Sequence, residues 1–325
     1  MSTSPKLFTI GLIGAGAIAE KHMEVLAALD TVKVVAVANR DKERLKFFQE
    51  KYKIPHGFTD YQELIKDKPC DAYFVLVNTR NMFSVGKEVL TTGMPTLLEK
   101  PPSFSSKETK ELIRIAHAHQ TRAVVGFNRR FYGHFYTALK EIEKKGPLLG
   151  ITIEAPERIL QVRENKKFDE RDTEHWMMLN GSHCIDLLRF FGGKIEEVYA
   201  HSVSFKEKYG DNFSATIRFA SGVLGTYSSH WNSPGGWRIV LSGIGITAIF
   251  SPLEEGIMLT SEGSKKIPID EVDVTYKQGM YAQAKAFLDF AQGRGHDARL
   301  ATLADALITQ ELVESIQSGS LRKFS

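Results

Sequence analysis

Gly14, Gly16 and Ala19 stand in the spacing G-x-G-x-x-A, behind the apolar run Phe8, Ile10, Leu12 and Ile13 and at the start of a helical pattern. The first glycine permits a tight turn, the second lets the backbone approach a pyrophosphate, and the alanine keeps the helix close to a sheet. A phosphate cradle of Gly14, Gly16, Ala17 and Ile18 is therefore expected. A purely structural glycine turn is the competing reading, and the context of strand, turn, helix and second strand favours the dinucleotide. The second strand ends in Ala38-Asn39-Arg40, where an NAD site commonly carries an acid for the ribose hydroxyls. Asn39 lacks the carboxylate that would repel a 2'-phosphate and Arg40 offers a cation to bind one, which leans toward NADP over NAD. The alternative stacks Arg40 on adenine and puts Asn39 on the ribose, which suits NAD.

Such a loop needs a parallel sheet to hold it. Residues 6–126 alternate short β-rich runs, at 7–13, 33–38, 72–77, 96–98 and 123–125, with helical segments at 18–29, 42–51, 61–66, 84–92 and 106–119. That is the pattern of a doubly wound α/β domain. After Gly126 the pattern changes. A helix over 136–144 precedes strand-like runs at 150–162, 195–205, 214–219, 223–231, 237–242 and 248–251, interrupted by a helix over 172–191, and 281–316 returns to helical periodicity. The expected division is a dinucleotide-binding domain over 1–126 and an α+β domain over 127–325, the second with a large, mostly antiparallel, open-faced sheet.

Three further stretches complete a set: Glu99-Lys100-Pro101, Gly126-Phe127-Asn128-Arg129-Arg130-Phe131, and Gly181-Ser182-His183-Cys184-Ile185-Asp186. With the glycine loop they resemble the glucose-fructose oxidoreductase, inositol dehydrogenase and MocA family over nearly the whole chain. The resemblance implies a Rossmann domain, an open-faced α+β domain and a substrate cleft between them. It implies that Lys100 reaches the substrate hydroxyl beside the nicotinamide, where an ammonium stabilises charge on the reacting oxygen. It also implies Glu99 near the nicotinamide ribose and His183 as the group that takes or returns the hydroxyl proton; a buried core histidine is the plainer alternative. Asn128 is expected near the nicotinamide, with Arg129 and Arg130 open between pairing and substrate roles. Trp176, His175 and Tyr281 are candidates for a substrate wall and equally readable as packing. Two departures stand out. Leu179 occupies the place, four residues before His183, where inositol-type members have Asp, with Asn180 as a substitute hydrogen-bonding group for the substrate. Val77-Asn78-Thr79 and Met82 replace the usual Thr-Pro-Asn and His, leaving Asn78 and Thr79 as polar contacts to the cofactor.

Composition narrows the partners. With 42 basic against 39 acidic residues the net charge is +3, which gives no footprint for nucleic acid. No apolar run approaches membrane-span length, and the glycines at 11, 14 and 16 argue against reading Lys6 and the stretch to Ala19 as a leader. Cys70 and Cys184 have no metal-like or redox-motif companions, so a reduced, cytoplasmic, metal-free protein is expected. The expected function is reversible hydride transfer between NAD(P) and a secondary alcohol or ketone of a sugar, cyclitol or nucleotide-sugar, in a homodimer or homotetramer joined through the C-terminal sheet. A non-catalytic dinucleotide-binding regulator or sensor, or a reductase of a non-sugar substrate, is the alternative.

Overall fold

Strands covered on both faces need side chains that are apolar on both, and the N-terminal part of the chain supplies such runs. In chain order they and their crossovers are β1 (Phe8–Ile13), α1 (Ala17–Leu26), β2 (Val32–Ala38), α2 (Lys42–Tyr52), β3 (His56–Phe58), α3 (Tyr61–Asp67), β4 (Ala72–Val75), α4 (Thr79–Leu90), β5 (Thr96–Leu98), α5 (Ser106–Ala118) and β6 (Ala123–Val125). The computed structural model describes residues 7–165, 167–208 and 210–324; Lys6 lies outside them. All six strands pair in parallel in the order β6-β5-β4-β1-β2-β3. The chain runs outward from β1 in one direction and from β4 in the other, so the topological switch lies between these two neighbours. A crevice at their carboxyl ends follows.

Two elements here differ from expectation, one through strand pairing and one through a local polar cap. β3 has no apolar run, and its residues His56 and Gly57 are exposed; pairing with Ala36 to Ala38 alone makes it a strand. α4 begins at Thr79 rather than near 84, because Asn78 Oδ1 accepts the Asn81 N–H (3.2 Å) and caps a polar first turn that apolar spacing cannot register.

The rest of the chain forms α6 (Gly133–Lys145), β7 (Leu148–Glu154), α7 (Ile159–Glu164), α8 (Glu170–Glu174), α9 (Ser182–Gly192), β8 (Ile195–Val203), β9 (Asn212–Phe219), β10 (Leu224–His230), β11 (Arg238–Gly243), β12 (Ile246–Phe250), β13 (Gly256–Thr260), β14 (Gly263–Lys266) and α10 (Glu271–Thr275). It closes with α11 (Met280–Ala291), β15 (Ala301–Thr302), α12 (Leu303–Ser318) and β16 (Leu321–Lys323). A nine-stranded sheet runs β14-β13-β12-β11-β7-β10-β9-β8-β16, antiparallel except for β7 beside β10. Strict alternation of buried and exposed residues along β9 marks a sheet with one face in the core. On the other face Leu321, Tyr199, Thr216, Thr226 and Thr152 stand in register across five strands, and Leu321 and Tyr199 are more than half exposed.

The expected strand over 150–162 stops at Glu154; Pro156 cannot donate to a ladder, and the chain turns into α7. The single helix expected over 172–191 is interrupted by a π-helical turn at Met177–Gly181. The helical stretch from 281 onward is divided by Gly293 and Gly295, both at positive φ. The chain also divides into two compact units differently from the cut expected after Gly126. The first comprises the described residues up to Phe131 together with Thr275–Leu307, the second Tyr132–Val274 and the described residues from Ile308. The returning segment belongs to the first unit because β15 pairs with β6, and because α11 sets Phe287 edge-on against Phe74, with ring centroids 5.1 Å apart.

One buried carboxylate organises the turn before β9. Asp211 is fully buried and accepts the backbone N–H groups of Phe205 (3.0 Å), Lys206 (2.6 Å) and Glu207 (3.1 Å). Burial pushes its pKa up, but these donors and the Asn212 side chain outweigh burial and hold it below the ordinary aspartate value. A depressed native pKa means the stabilisation is present above the unfolded-state pKa and is lost as the pH falls through the native one. Asp211→Ala is therefore expected to lower stability by about 2 kcal/mol at neutral pH. Urea titrations across pH should show that deficit constant above about pH 5 and shrinking below about pH 4.

Candidate functional site

The glycine loop lies where the topology places it. A groove of about 700 Å³ at the carboxyl ends of β1, β2 and β4 is lined by Gly14, Ala15, Gly16, Asn39, Arg40, Asp41, Thr59, Tyr61, Leu76 and Asn78, among others. Gly14 has φ +106°, and a Cβ there would stand 2.6 Å from the Leu76 carbonyl oxygen, so only glycine closes this turn. At Gly16 a Cβ would meet nothing within 4 Å, which leaves space for a ligand to approach the backbone. No side chain caps the start of α1, so the N–H groups of its first turn and the positive end of its dipole are available to an anion. A pyrophosphate fits these three observations. Ala17 and Ile18 form that first turn, with Ala17 exposed. Tyr61 lines the groove as a neutral phenol, its pKa pushed up to about 12 by burial and by Glu88.

Asn39 does more than vacate a carboxylate. Its Oδ1 accepts the Ala15 N–H (3.2 Å) and its Nδ2 donates to the Asp41 carbonyl (3.1 Å), tying the end of β2 to the glycine loop. An aspartate would set its second oxygen against that carbonyl. Arg44 braces the same loop: its Nε donates to the Ala15 carbonyl (2.6 Å), and its guanidinium pairs with Glu20 of α1. Arg40 is exposed on the groove wall. Asp41 and Asp60 are held as N-caps, accepting from the N–H groups of Arg44 (3.0 Å) and Gln62 (2.9 Å). Asn78 lines the groove while capping α4; Thr79 begins that helix and does not line the groove.

At the end of β5, Glu99 and Lys100 are half-buried, and Lys100 precedes Pro101. Glu99 Oε2 lies 3.7 Å from Nε2 of the buried His22. Asn128, 8% exposed, follows β6 and donates its Nδ2 to the Gln278 carbonyl (2.9 Å). Arg130 is buried, 5.9 Å from the Phe127 ring, and Tyr281 stacks on Tyr276 with centroids 5.4 Å apart.

In the second unit the π-helical turn delivers a separate cluster. Glu157, 5% exposed, accepts from Trp176 Nε1 (2.9 Å) and from Asn180 Nδ2 (3.0 Å to either oxygen). Trp176 also packs edge-on against Phe168 and is part of the core. His183 follows at the start of α9, 8% exposed, with its ring 6.5 Å from that of Trp237. Asp186 is buried and accepts from Thr309 Oγ1 (2.9 Å), a structural bond. His175 bonds the Arg171 carbonyl through Nδ1 (2.9 Å). Leu179 packs against the core. Among the described residues no group of three or more His, Cys, Asp or Glu could hold a metal ion.

Family models match most of this chain. Residues 8–127 match the oxidoreductase family with an NAD-binding Rossmann fold, and residues 144–247 match the GFO/IDH/MocA C-terminal domain. The chain belongs to the GFO/IDH/MocA family of oxidoreductases. Among curated relatives, the uncharacterized oxidoreductase YrbE of Bacillus subtilis is 30% identical over 67% of this chain and 66% of its own length. Trans-1,2-dihydrobenzene-1,2-diol dehydrogenase of Sus scrofa is 23% identical over 95% of this chain and 96% of its own. Among solved structures, levoglucosan dehydrogenase in complex with NADH superposes with a TM-score of 0.84 at 17% identity, covering 98% of this chain and 100% of that one. The WlbA dehydrogenase of Bordetella pertussis, in complex with NADH and UDP-GlcNAcA, gives 0.79 at 16% identity over 99% of each chain.

Several residues of this GFO/IDH/MocA protein escaped the reading of its sequence. Arg44 and His22 reach the loop and Glu99 only through tertiary packing, and no local spacing announces either. Glu157 carries no mark of its own in the sequence, where it stands beside Glu154 and Arg158; only its burial with partners, which a core requires of an acid, sets it apart. Trp237 was legible only as the start of a strand.

Proposed function

We propose that the protein transfers a hydride between a nicotinamide dinucleotide and a secondary alcohol or ketone of a small polyhydroxylated molecule such as a sugar, cyclitol or nucleotide-sugar. The groove at the carboxyl ends of β1, β2 and β4, turned by Gly14 and ending at the uncapped start of α1, carries the reading. When bound, the dinucleotide supplies the hydride acceptor or donor. Gly14, Gly16, Ala17 and Ile18 hold its pyrophosphate, Asn78 the strand-end side, and Glu99 and Asn128 the nicotinamide side; Thr79, which stays out of the groove, is left to start α4. Lys100 holds the reacting oxygen and stabilises negative charge on it, and His183 takes or returns the hydroxyl proton. Asn180, Trp176 and Tyr281 are assigned to the substrate. Two similar folds, one named levoglucosan dehydrogenase and the other the WlbA dehydrogenase in complex with UDP-GlcNAcA, support a polyhydroxylated substrate. The decisive experiment is a panel of sugars, inositols and nucleotide-sugars assayed with both cofactors, in which absence of turnover with every member would contradict the substrate class.

NADP is the favoured cofactor, because Asn39 presents no carboxylate and Arg40 lies exposed on the groove wall. Arg40→Ala should weaken NADPH about tenfold and leave NADH within about twofold, since an exposed charge-assisted contact to phosphate is worth roughly one decade. The preference should shrink as salt rises. Titration by nicotinamide fluorescence decides it: NADH bound more tightly than NADPH by the wild type would move Arg40 to adenine stacking.

A further inference from the structure

His22 of α1 is 1% exposed, and neither of its ring nitrogens has a hydrogen-bond partner. Buried polar atoms rarely stand unsatisfied, and those that do call for an explanation. The ring meets Phe74 edge-on at 5.4 Å, and its Nε2 lies 3.7 Å from Glu99 Oε2. That separation is about 0.8 Å beyond a hydrogen bond. Gly126 lies beside the same oxygen: a Cβ there would stand 3.0 Å from Oε2, so glycine leaves the carboxylate its place. The backbone of Glu99 is fixed by its N–H bond to the Val75 carbonyl (2.9 Å). His22 and Gly126 thus both adjoin one carboxylate oxygen at the end of β5, and Lys100 is the next residue.

We propose that His22 is a positioning residue: it donates to Glu99 when a nicotinamide dinucleotide is bound, fixing one carboxylate oxygen and leaving the other to accept from a hydroxyl of that ligand. The proposal rests on the dinucleotide reading above. Without the imidazole the carboxylate is free to swing, and the ligand must order it on binding. Glutamine and asparagine separate this role from packing. The side-chain amide nitrogen introduced by His22→Gln would stand near the place of Nε2, and the one introduced by His22→Asn near the place of Nδ1.

The test titrates the full chain with NADH and NADPH by nicotinamide fluorescence, alongside thermal unfolding. His22→Phe, which keeps the ring edge against Phe74, is expected to raise the Kd of the tighter dinucleotide about tenfold, the order of one charge-assisted hydrogen bond. His22→Gln should stay within about threefold of wild type, and His22→Asn should resemble His22→Phe. In a Glu99→Gln background, His22→Phe should add less than about twofold, because both changes remove the same contact. Wild-type affinity in His22→Phe, equal affinities in the Gln and Asn variants, or additive losses in the double variant would overturn the proposal and leave His22 as packing. If His22→Phe does not fold, Glu99→Gln and His22→Gln decide: weakened binding in the first with retention in the second supports it, and the reverse overturns it. A wild-type chain that binds neither dinucleotide overturns the cofactor reading itself and this proposal with it.

Discussion

Lys100→Met is expected to lower kcat by about 10³-fold while leaving the affinities for NADH and NADPH within about threefold of wild type. Methionine keeps the length and the apolar stem of the lysine, which lies half-buried on the chain leaving β5, and removes only the ammonium. A positioned proton-transfer or charge-stabilising group contributes about 10²- to 10⁴-fold; 10³ corresponds to about 4 kcal/mol of barrier. Loss of an interaction made only as charge develops on the reacting oxygen falls on kcat, whereas loss of uniform binding falls on KM. Lys100→Arg separates the two roles of the ammonium. Arginine retains the positive charge but cannot give up its proton in the accessible pH range, so partial recovery indicates charge stabilisation, and none indicates proton transfer. The assay uses whichever panel member turns over. Turnover undiminished in Lys100→Met would remove this residue from the chemistry. A wild type that binds dinucleotide and turns over nothing would instead favour a regulator, the reading that Leu179 in place of an acid keeps open.

The parts of this molecule that were legible in the sequence are those set by periodicity and by covalent constraint. Apolar runs such as Ile10 to Ile13 place the parallel strands because both faces must be covered, and the loop is legible because only glycine makes the turn at Gly14. What escaped depends on tertiary partners or on a local polar cap. β3 exists only as a neighbour of β2, and α4 starts early because Asn78 satisfies its first turn. The π-helical turn at Met177–Gly181 leaves no mark in apolar spacing, yet it sets where Asn180 and His183 stand relative to each other. The return of 275–307 to the first unit is a long-range pairing of β15 with β6, which periodicity cannot carry. Asn39 is the instructive case. Read alone it concerns cofactor choice; in the structure both ends of its carboxamide bind backbone, so its identity answers to loop closure as well. A residue type can satisfy two demands at once, and only the structure displays the second.

The glycine loop allows these demands to be separated by experiment. Gly14→Ala is expected to abolish measurable NADH and NADPH binding and to lower stability by about 3 kcal/mol, since a positive φ strains any side chain and a close backbone contact cannot yield cheaply. The contact in question is with the Leu76 carbonyl, and Leu76 is itself held by its N–H bond to the Ile13 carbonyl (2.7 Å), so relief would have to break the seam between β1 and the end of β4. Gly16→Ala has neither problem. Its φ is −77° and the space is open, so thermal and urea unfolding should match wild type. Its methyl group, however, would stand where the backbone is to meet a pyrophosphate, and dinucleotide affinity should fall by at least about tenfold. The two variants therefore divide the motif into a folding glycine and a binding glycine. Wild-type affinity in Gly16→Ala would mean that the phosphates do not lie against this loop, and equal destabilisation in both would mean that the loop is a structural turn with no preference for a ligand.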